Sequence, residues 1–189
     1  MKNIYLIRHC SADGQHKDSP LTIEGMRQAQ LLSIFLSDQN FPIDKIYSSP
    51  YLRAIDSIKP YSQKSNIEIE IDERLRERVL SNEPIDDWLE VLEQSFADHH
   101  YKLPGGESAS EALQRVNPLL QSIFHSEHTN IVVVTHGNLF ALILNQFDEN
   151  FGFNEWKELK NPDVYLIKYK QDVKSISPLW RTKDTNSPT

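Results

Sequence analysis

Two spacings of apolar residues alternate along this chain. The runs within Asn3–Ile7 and Ile131–Val134 have the length and β-branched content of buried strands. Asp44–Tyr47 reads as a further short strand. Ile67, Ile69 and Ile71 alternate with Glu68, Glu70 and Asp72, the period-two pattern of a strand with one polar face. Val164–Lys170 and Ser175–Leu179 read as late strands near a sheet edge. Between these runs the spacing turns helical. Ala29, Leu32, Phe35 and Leu36 make an apolar stripe on a helix over Ile23–Ser37, with Thr22 as its N-cap. Pro50 fits the first turn of a helix reaching about Ser62, where Pro60 should disturb the end. Further helices are predicted over Pro84–Phe96, Ser108–His125 and Asn138–Phe147. Pro118 should kink the second of these, and Leu103-Pro104-Gly105-Gly106 reads as a turn. The tail Thr182–Thr189 is polar and aperiodic, and is predicted to fray.

Alternating strands and helices predict an α/β fold, a three-layer α/β/α sandwich with a mainly parallel sheet. Right-handed crossovers then place helices on both faces. In such sheets ligands lie beyond the carboxyl ends of the strands, at a topological switch point. The residues just after the strands therefore matter most.

Composition narrows the picture only slightly. With 189 residues, 39% hydrophobic and 25% charged, the chain suits one soluble domain, read here as residues 1–181 with a disordered tail 182–189. A net charge of −7 argues against a nucleic-acid binder. The single cysteine, Cys10, excludes an internal disulfide and fits a reducing, cytoplasmic setting. Arg8 and His9 cut short the N-terminal apolar run, which is too brief for a signal peptide, and no stretch reaches membrane length.

Four groups follow predicted strands: Arg8-His9, Ser48-Ser49-Pro50-Tyr51-Leu52-Arg53, Leu75-Arg76-Glu77 and Thr135-His136-Gly137-Asn138. Taken singly, each has an ordinary reading: a packed histidine, a solvated arginine, a charged surface run, a helix entry. Together they supply fixed cations with planar donors that match phosphate. They also supply imidazoles that can attack or donate and a helix N-terminus for an anion. Glu77 adds a carboxyl group able to protonate a leaving oxygen. That set meets the needs of phosphoryl transfer, with arginines doing the charge work a metal ion does elsewhere.

These segments in this order resemble the signature of the histidine phosphatase superfamily, the phosphoglycerate mutase-like group. Leu21-Thr22 with Gly25, Gln28 and Ala29 resembles its first helix, and Gly106-Glu107-Ser108 a further segment. The resemblance spans roughly Ile4 to Asn138. It implies a phosphoglycerate mutase-like fold and a catalytic set of His9, Glu77, Arg8, Arg53 and His136. His9 would become phosphohistidine, and Arg8, Arg53 and His136 would hold the phosphoryl oxygens. Glu77 would act as acid and then base. Ser11, Gln15, Gly137 and Asn138 are the substrate-binding candidates. No metal and no cofactor is implied, and the partner is a small-molecule phosphomonoester.

The chain departs from the family at Cys10, where a glycine or alanine is usual, and at Ser11, Ala12 and Gln15. Cys10 reads as a small buried residue at a strand exit, the alternative being a reactive thiol. A cysteine-nucleophile phosphatase would need an arginine where His16 stands. Hydrolysis is favoured over mutase action. Cofactor-dependent mutases are longer and carry a basic segment after the glutamate, whereas Ser81–Glu90 is acidic. A mutase and a non-catalytic phosphate-binding module remain the alternatives. Adjacent His99 and His100 lack the one-face spacing of a zinc pair, and neither a nucleophile elbow nor a Walker loop is present.

Overall fold

The computed structural model describes residues 1–39, 42–170 and 173–181. The predicted tail, 182–189, lies outside the described residues. Six strands form one sheet: β1 (Lys2–Arg8), β2 (Lys45–Ser48), β3 (Ile69–Ile71), β4 (Asn130–Thr135), β5 (Asp163–Lys170) and β6 (Val173–Arg181). Their order is β3-β2-β4-β1-β5-β6. β3, β2, β4 and β1 pair in parallel, while β5 and β6 are antiparallel additions at the other edge.

Pleating divides the apolar strand residues between two faces. Ile4, Leu6, Ile131 and Val133 face a core shared with α4 (Ala109–His125) and α5 (Gly137–Asn145). Tyr5, Ile7, Val132 and Val134 face a second core shared with α1 (Ile23–Ser37) and α2 (Leu52–Ser65). The three-layer sandwich with a mainly parallel sheet is therefore the architecture observed. α3 (Trp88–Ala97), α6 (Phe153–Lys157) and a 3₁₀ turn at Glu73–Leu75 complete the described elements.

Local signals explain most of the element ends. Thr22 Oγ1 accepts from Gly25 N, capping α1. Ser108 and Glu111 form a capping box at the start of α4. Asn66 takes a left-handed conformation after α2 (φ 56°). Three helix expectations need correction. α2 starts at Leu52 and runs through Pro60 to Ser65, because burial of Ile58 and Tyr61 outweighs one missing backbone bond. α3 starts at Trp88 rather than Pro84. The chain before it lines a cavity of about 650 Å³ together with Tyr101, Leu103 and Pro104 instead of coiling. α5 ends at Asn145 rather than Phe147. No described helix is long and apolar enough to cross a membrane.

Candidate active site

All four parallel strands end on one edge of the sheet, and backbone bonds knit those ends together. His9 N donates to Thr135 O at 3.0 Å, Ser49 N to Val134 O at 3.0 Å, and Asp72 N to Ser48 O at 2.9 Å. Thr135 Oγ1 donates to Leu75 O at 2.8 Å. His9, Ser49, Glu77 and His136 are thereby delivered to one place, beyond β1 and β4, where the strand order reverses.

His9 is buried, with 8% of its surface exposed. Its Nδ1 lies 2.6 Å from Cys10 O, so that nitrogen carries the hydrogen and donates it. Nε2 accepts from Arg53 Nε at 3.2 Å. Only the Nδ1–H tautomer satisfies both bonds, and it leaves the Nε2 lone pair facing the cation. Burial, reinforced by Arg53 and Arg8, pushes the ring down to about 3 against the opposing bond to Cys10 O. His9 is a neutral imidazole at physiological pH.

Arg53 is all but fully buried and already heavily engaged. Besides His9, it donates from Nη1 to His16 O at 2.8 Å and to Gln15 O at 3.2 Å. Its guanidinium carbon lies 4.9 Å from the Tyr51 ring centre. Arg8 donates from Nη1 to Leu159 O at 3.0 Å, and its buried Nε has no partner among the described residues. The Nε–Nη2 edge of Arg8 is thus an uncommitted fork. Gly137 lies against it: a Cβ at that position would sit 3.1 Å from both Cζ and Nε of Arg8. Burial lowers the pKa of both arginines, opposed in each case by the field of Glu77.

His136 is wholly buried and its ring centre lies 5.0 Å from that of His9. Burial first, then coupling to the neighbouring His9 ring and the charges of Arg53, Arg8 and Arg115, hold it well below the usual imidazole range. Glu77 accepts three backbone bonds. Oε1 takes Arg78 N at 2.8 Å and Leu139 N at 3.0 Å, and Oε2 takes Asn138 N at 3.0 Å. A carboxylate offers about four lone pairs, so one on Oε2 is left uncommitted. This corrects one expectation. Two N–H groups at the start of α5 are spent on Glu77 rather than held open for an anion, which leaves the Gly137 N–H. Asn138 is a ligand of Glu77 through its backbone.

The loop after His9 is fixed by α1. Ser11 N donates to Gln28 Oε1 at 2.9 Å, and Ser11 O accepts from Thr22 N at 3.0 Å. A Cβ at Gly25 would stand 1.9 Å from Ser11 O, so only glycine permits this approach. Gln15 is exposed on the same loop and meets Arg53 through its carbonyl. Cys10 is fully buried, and burial raises its thiol to about 12, so the packing reading of this residue stands.

Several contributors escape sequence reasoning. β5 runs antiparallel to β1, so its beginning, not its end, reaches this edge. Asp163 stands opposite Arg8 in the ladder, is fully buried, and supports the charge of Arg8. Asn161 Nδ2 donates to His9 O at 2.7 Å. Arg115 grips Glu107 with two bonds of 2.7 Å and donates to Arg74 O and Arg76 O, holding the backbone before Glu77. Arg78 does the same on the far side through Glu107 O and Ser95 Oγ. A Glu or Arg in the 72–78 charged run carries no mark in sequence that separates clamp from solvated surface.

The family model of the histidine phosphatase superfamily (branch 1) matches residues 4–181. A Hydrogenobacter thermophilus protein named "Putative phosphoserine phosphatase 2" is 32% identical over 160 residues, covering 76% of this chain and 77% of that one. The human 6-phosphofructo-2-kinase/fructose-2,6-bisphosphatase 4 is 29% identical over 156 residues. That match covers 77% of this chain but only 33% of the bifunctional protein. Among solved structures, a mycobacterial glucosyl-3-phosphoglycerate phosphatase with inorganic phosphate superposes with a TM-score of 0.75 at 21% identity, covering 96% and 98% of the two chains. Bacillus stearothermophilus YhfR gives 0.75 at 23% identity, covering 94% and 96%. The chain belongs to the histidine phosphatase superfamily.

Proposed function

We propose that this histidine phosphatase hydrolyses small phosphomonoesters without a metal ion, through a phosphohistidine at His9. The observation that carries the reading is the state of His9: a neutral, buried imidazole held as the Nδ1–H tautomer by Cys10 O, whose one Nε2 lone pair is bound to Arg53 Nε–H and exchanges that bond for phosphorus when substrate arrives. The phosphoryl oxygens are held by the Arg8 fork, Arg53 Nη2, His136 and the Gly137 N–H. His9 Nε2 attacks phosphorus, the bond to the ester oxygen breaks, and Glu77 Oε2 delivers a proton to the leaving alcohol. A water molecule then attacks the phosphohistidine, Glu77 takes its proton, and the P–N bond breaks to release phosphate. The Nδ1–H bond to Cys10 O persists throughout and keeps the ring in one tautomer. The arginines supply the positive charge the transferring group needs.

Glu83, Asp86, Asp87 and Glu90 line the cavity in the segment that begins four residues after Glu77. An acidic stretch following the glutamate in the chain, where cofactor-dependent mutases carry a basic one, supports hydrolysis over mutase action. A neutral or zwitterionic alcohol suits it, and the name of the Hydrogenobacter relative puts phosphoserine first on a substrate panel. The test is hydrolysis of an aryl phosphate and of that panel in the presence of a metal chelator. Turnover that survives chelation supports the reading; a folded, phosphate-binding protein with no turnover replaces it with the binding module.

Glu77 has its own readout. Glu77→Gln keeps the shape but cannot deliver a proton, and loss of a positioned acid costs about 10²–10⁴-fold. The loss is expected with alkyl phosphates, while a nitrophenyl phosphate, whose leaving group needs no proton, is expected to change far less. Rates of the first step measured across leaving groups decide it; an equal loss for all of them removes the acid role.

A further inference from the structure

We propose that Ser49 sets the tautomer of His136, so that this second histidine presents an Nδ1–H to the phosphoryl group. The inference rests on the phosphoryl-binding reading above. His136 Nε2 lies 2.7 Å from Ser49 Oγ, and both residues are fully buried. His136 Nδ1 is also buried and has no hydrogen-bond partner among the described residues. The question is which of the two ring nitrogens carries the hydrogen.

Three surroundings decide it. Tyr51 N donates to Ser49 Oγ at 3.3 Å, occupying a lone pair of the hydroxyl. The Ser49 hydroxyl has one hydrogen of its own, and among the described residues His136 Nε2 is the acceptor in reach. Ser49 itself is fixed, since its backbone N–H is bound to Val134 O. Were the ring hydrogen on Nε2, it would point at the hydroxyl, the serine hydrogen would lose its acceptor, and a bare Nδ1 lone pair would remain buried. With the hydrogen on Nδ1, Ser49 donates to Nε2 and one buried donor is left over. A phosphoryl oxygen is the acceptor that donor lacks, and the His9 ring it would be transferred to is centred 5.0 Å away. A buried polar group without a partner is costly, so this donor is satisfied when the anion is bound.

The two histidines then form a complementary pair. His9 is locked as Nδ1–H by Cys10 O, which puts the lone pair on Nε2, where Arg53 Nε–H holds it until it attacks. His136 is locked as Nδ1–H by Ser49, which turns a donor to the group under attack. Neither needs a carboxylate partner for its tautomer. Ser49 acts through His136 and is a positioning residue. The strand-end segment carrying Ser49 and Arg53 thus serves both histidines, one through the serine and the other through the arginine.

The test uses the full chain, labelled with ¹⁵N, and two-bond ¹H–¹⁵N correlation of its 7 histidine rings at neutral pH, with His136 assigned by comparison with His136→Asn. The expected result is the Nδ1–H pattern for His136 in the unmutated protein, and a shift towards Nε2–H in Ser49→Ala. The Ser49→Ala variant should also lose aryl phosphate turnover about tenfold to hundredfold, mainly in kcat, the range known for loss of the hydrogen-bond partner that orients a metal-bound histidine. An Nε2–H pattern in the unmutated protein overturns the proposal, as does a Ser49→Ala variant with the tautomer unchanged and turnover within twofold. The spectrum of the unmutated protein decides even if Ser49→Ala does not fold. It is also independent of turnover, so a failure of the phosphatase reading shows up separately, as an inactive protein with the tautomer still assigned.

Discussion

His9→Ala is expected to abolish turnover, with kcat down by about 10⁴–10⁶-fold, the range seen when an enzyme loses its nucleophile. The chain should still fold. His9 lies beyond the end of β1, its backbone bonds to Thr135 O and from Asn161 do not need the ring, and the loss removes a buried titratable group rather than core packing. Rapid-quench trapping of phosphoenzyme should find none in the variant and an acid-labile, base-stable phosphoramidate in the unmutated protein. The pH profile tests the same residue. His9 is competent only when neutral, and its folded value is depressed to about 3. Protonation therefore removes the nucleophile only as pH falls towards 3. The acid side of kcat/KM should show no loss from His9 between pH 7 and pH 5, where an ordinary imidazole, near 6.5, would already have titrated. A loss centred near pH 6.5, matched by a His9 ring that titrates at the same pH when its ¹⁵N signals are followed, would mean that the ring is solvated rather than buried.

The sequence made visible what lies at the carboxyl ends of parallel strands. Arg8-His9, Arg53, Glu77 and His136 each follow a segment whose apolar pattern is clear, and the parallel sheet brings those ends to one edge whatever the loops do. Gly25 and Gln28 were part of the recognisable pattern, and their contacts give the reason. One allows the loop after His9 to touch α1, and the other binds that loop's backbone. The pattern could not show contributions that depend on which strands become neighbours. Asn161 precedes a strand and Asp163 opens it, and only the antiparallel placement of β5 beside β1 carries them to His9 and Arg8. The start of α5 also misled. A helix N-terminus next to an anion site invites the reading of free N–H donors, but Glu77, from a different strand end, takes two of them. A tertiary contact decided the outcome, and a local rule had no access to it. For the same reason nothing local in the sequence marks Arg115 and Arg78, which clamp the backbone on either side of Glu77.

Arg53→Lys keeps the charge and is nonetheless expected to lower kcat/KM by about 10³-fold or more, the scale on which an arginine stabilising a transferring phosphoryl group acts. Three separate commitments explain why lysine fails. Nε touches His9 Nε2, Nη1 is shared between two carbonyls of the 15–16 loop, and Nη2 is the atom assigned to the phosphoryl group in the proposed reaction. A guanidinium serves these three directions from one rigid plane; an ammonium is a single point with three donors and no fixed edge. If lysine keeps the phosphoryl contact, it gives up either the bond to His9 or the anchoring of the loop. The split of the loss is informative. The Arg53 Nε–H bond aims the His9 ring and opens as Nε2 attacks, so its loss leaves the ring misaimed and lowers kcat, whereas loosening residues 15–16 weakens binding and raises KM. Both should change in Arg53→Lys, with kcat carrying the larger share. A Gln15→Ala change, which keeps the backbone carbonyl that Arg53 uses, should leave kcat close to that of the unmutated protein. Near-normal kcat/KM in Arg53→Lys would show that charge alone suffices, and that the contact between the guanidinium and the attacking nitrogen has no part in the chemistry.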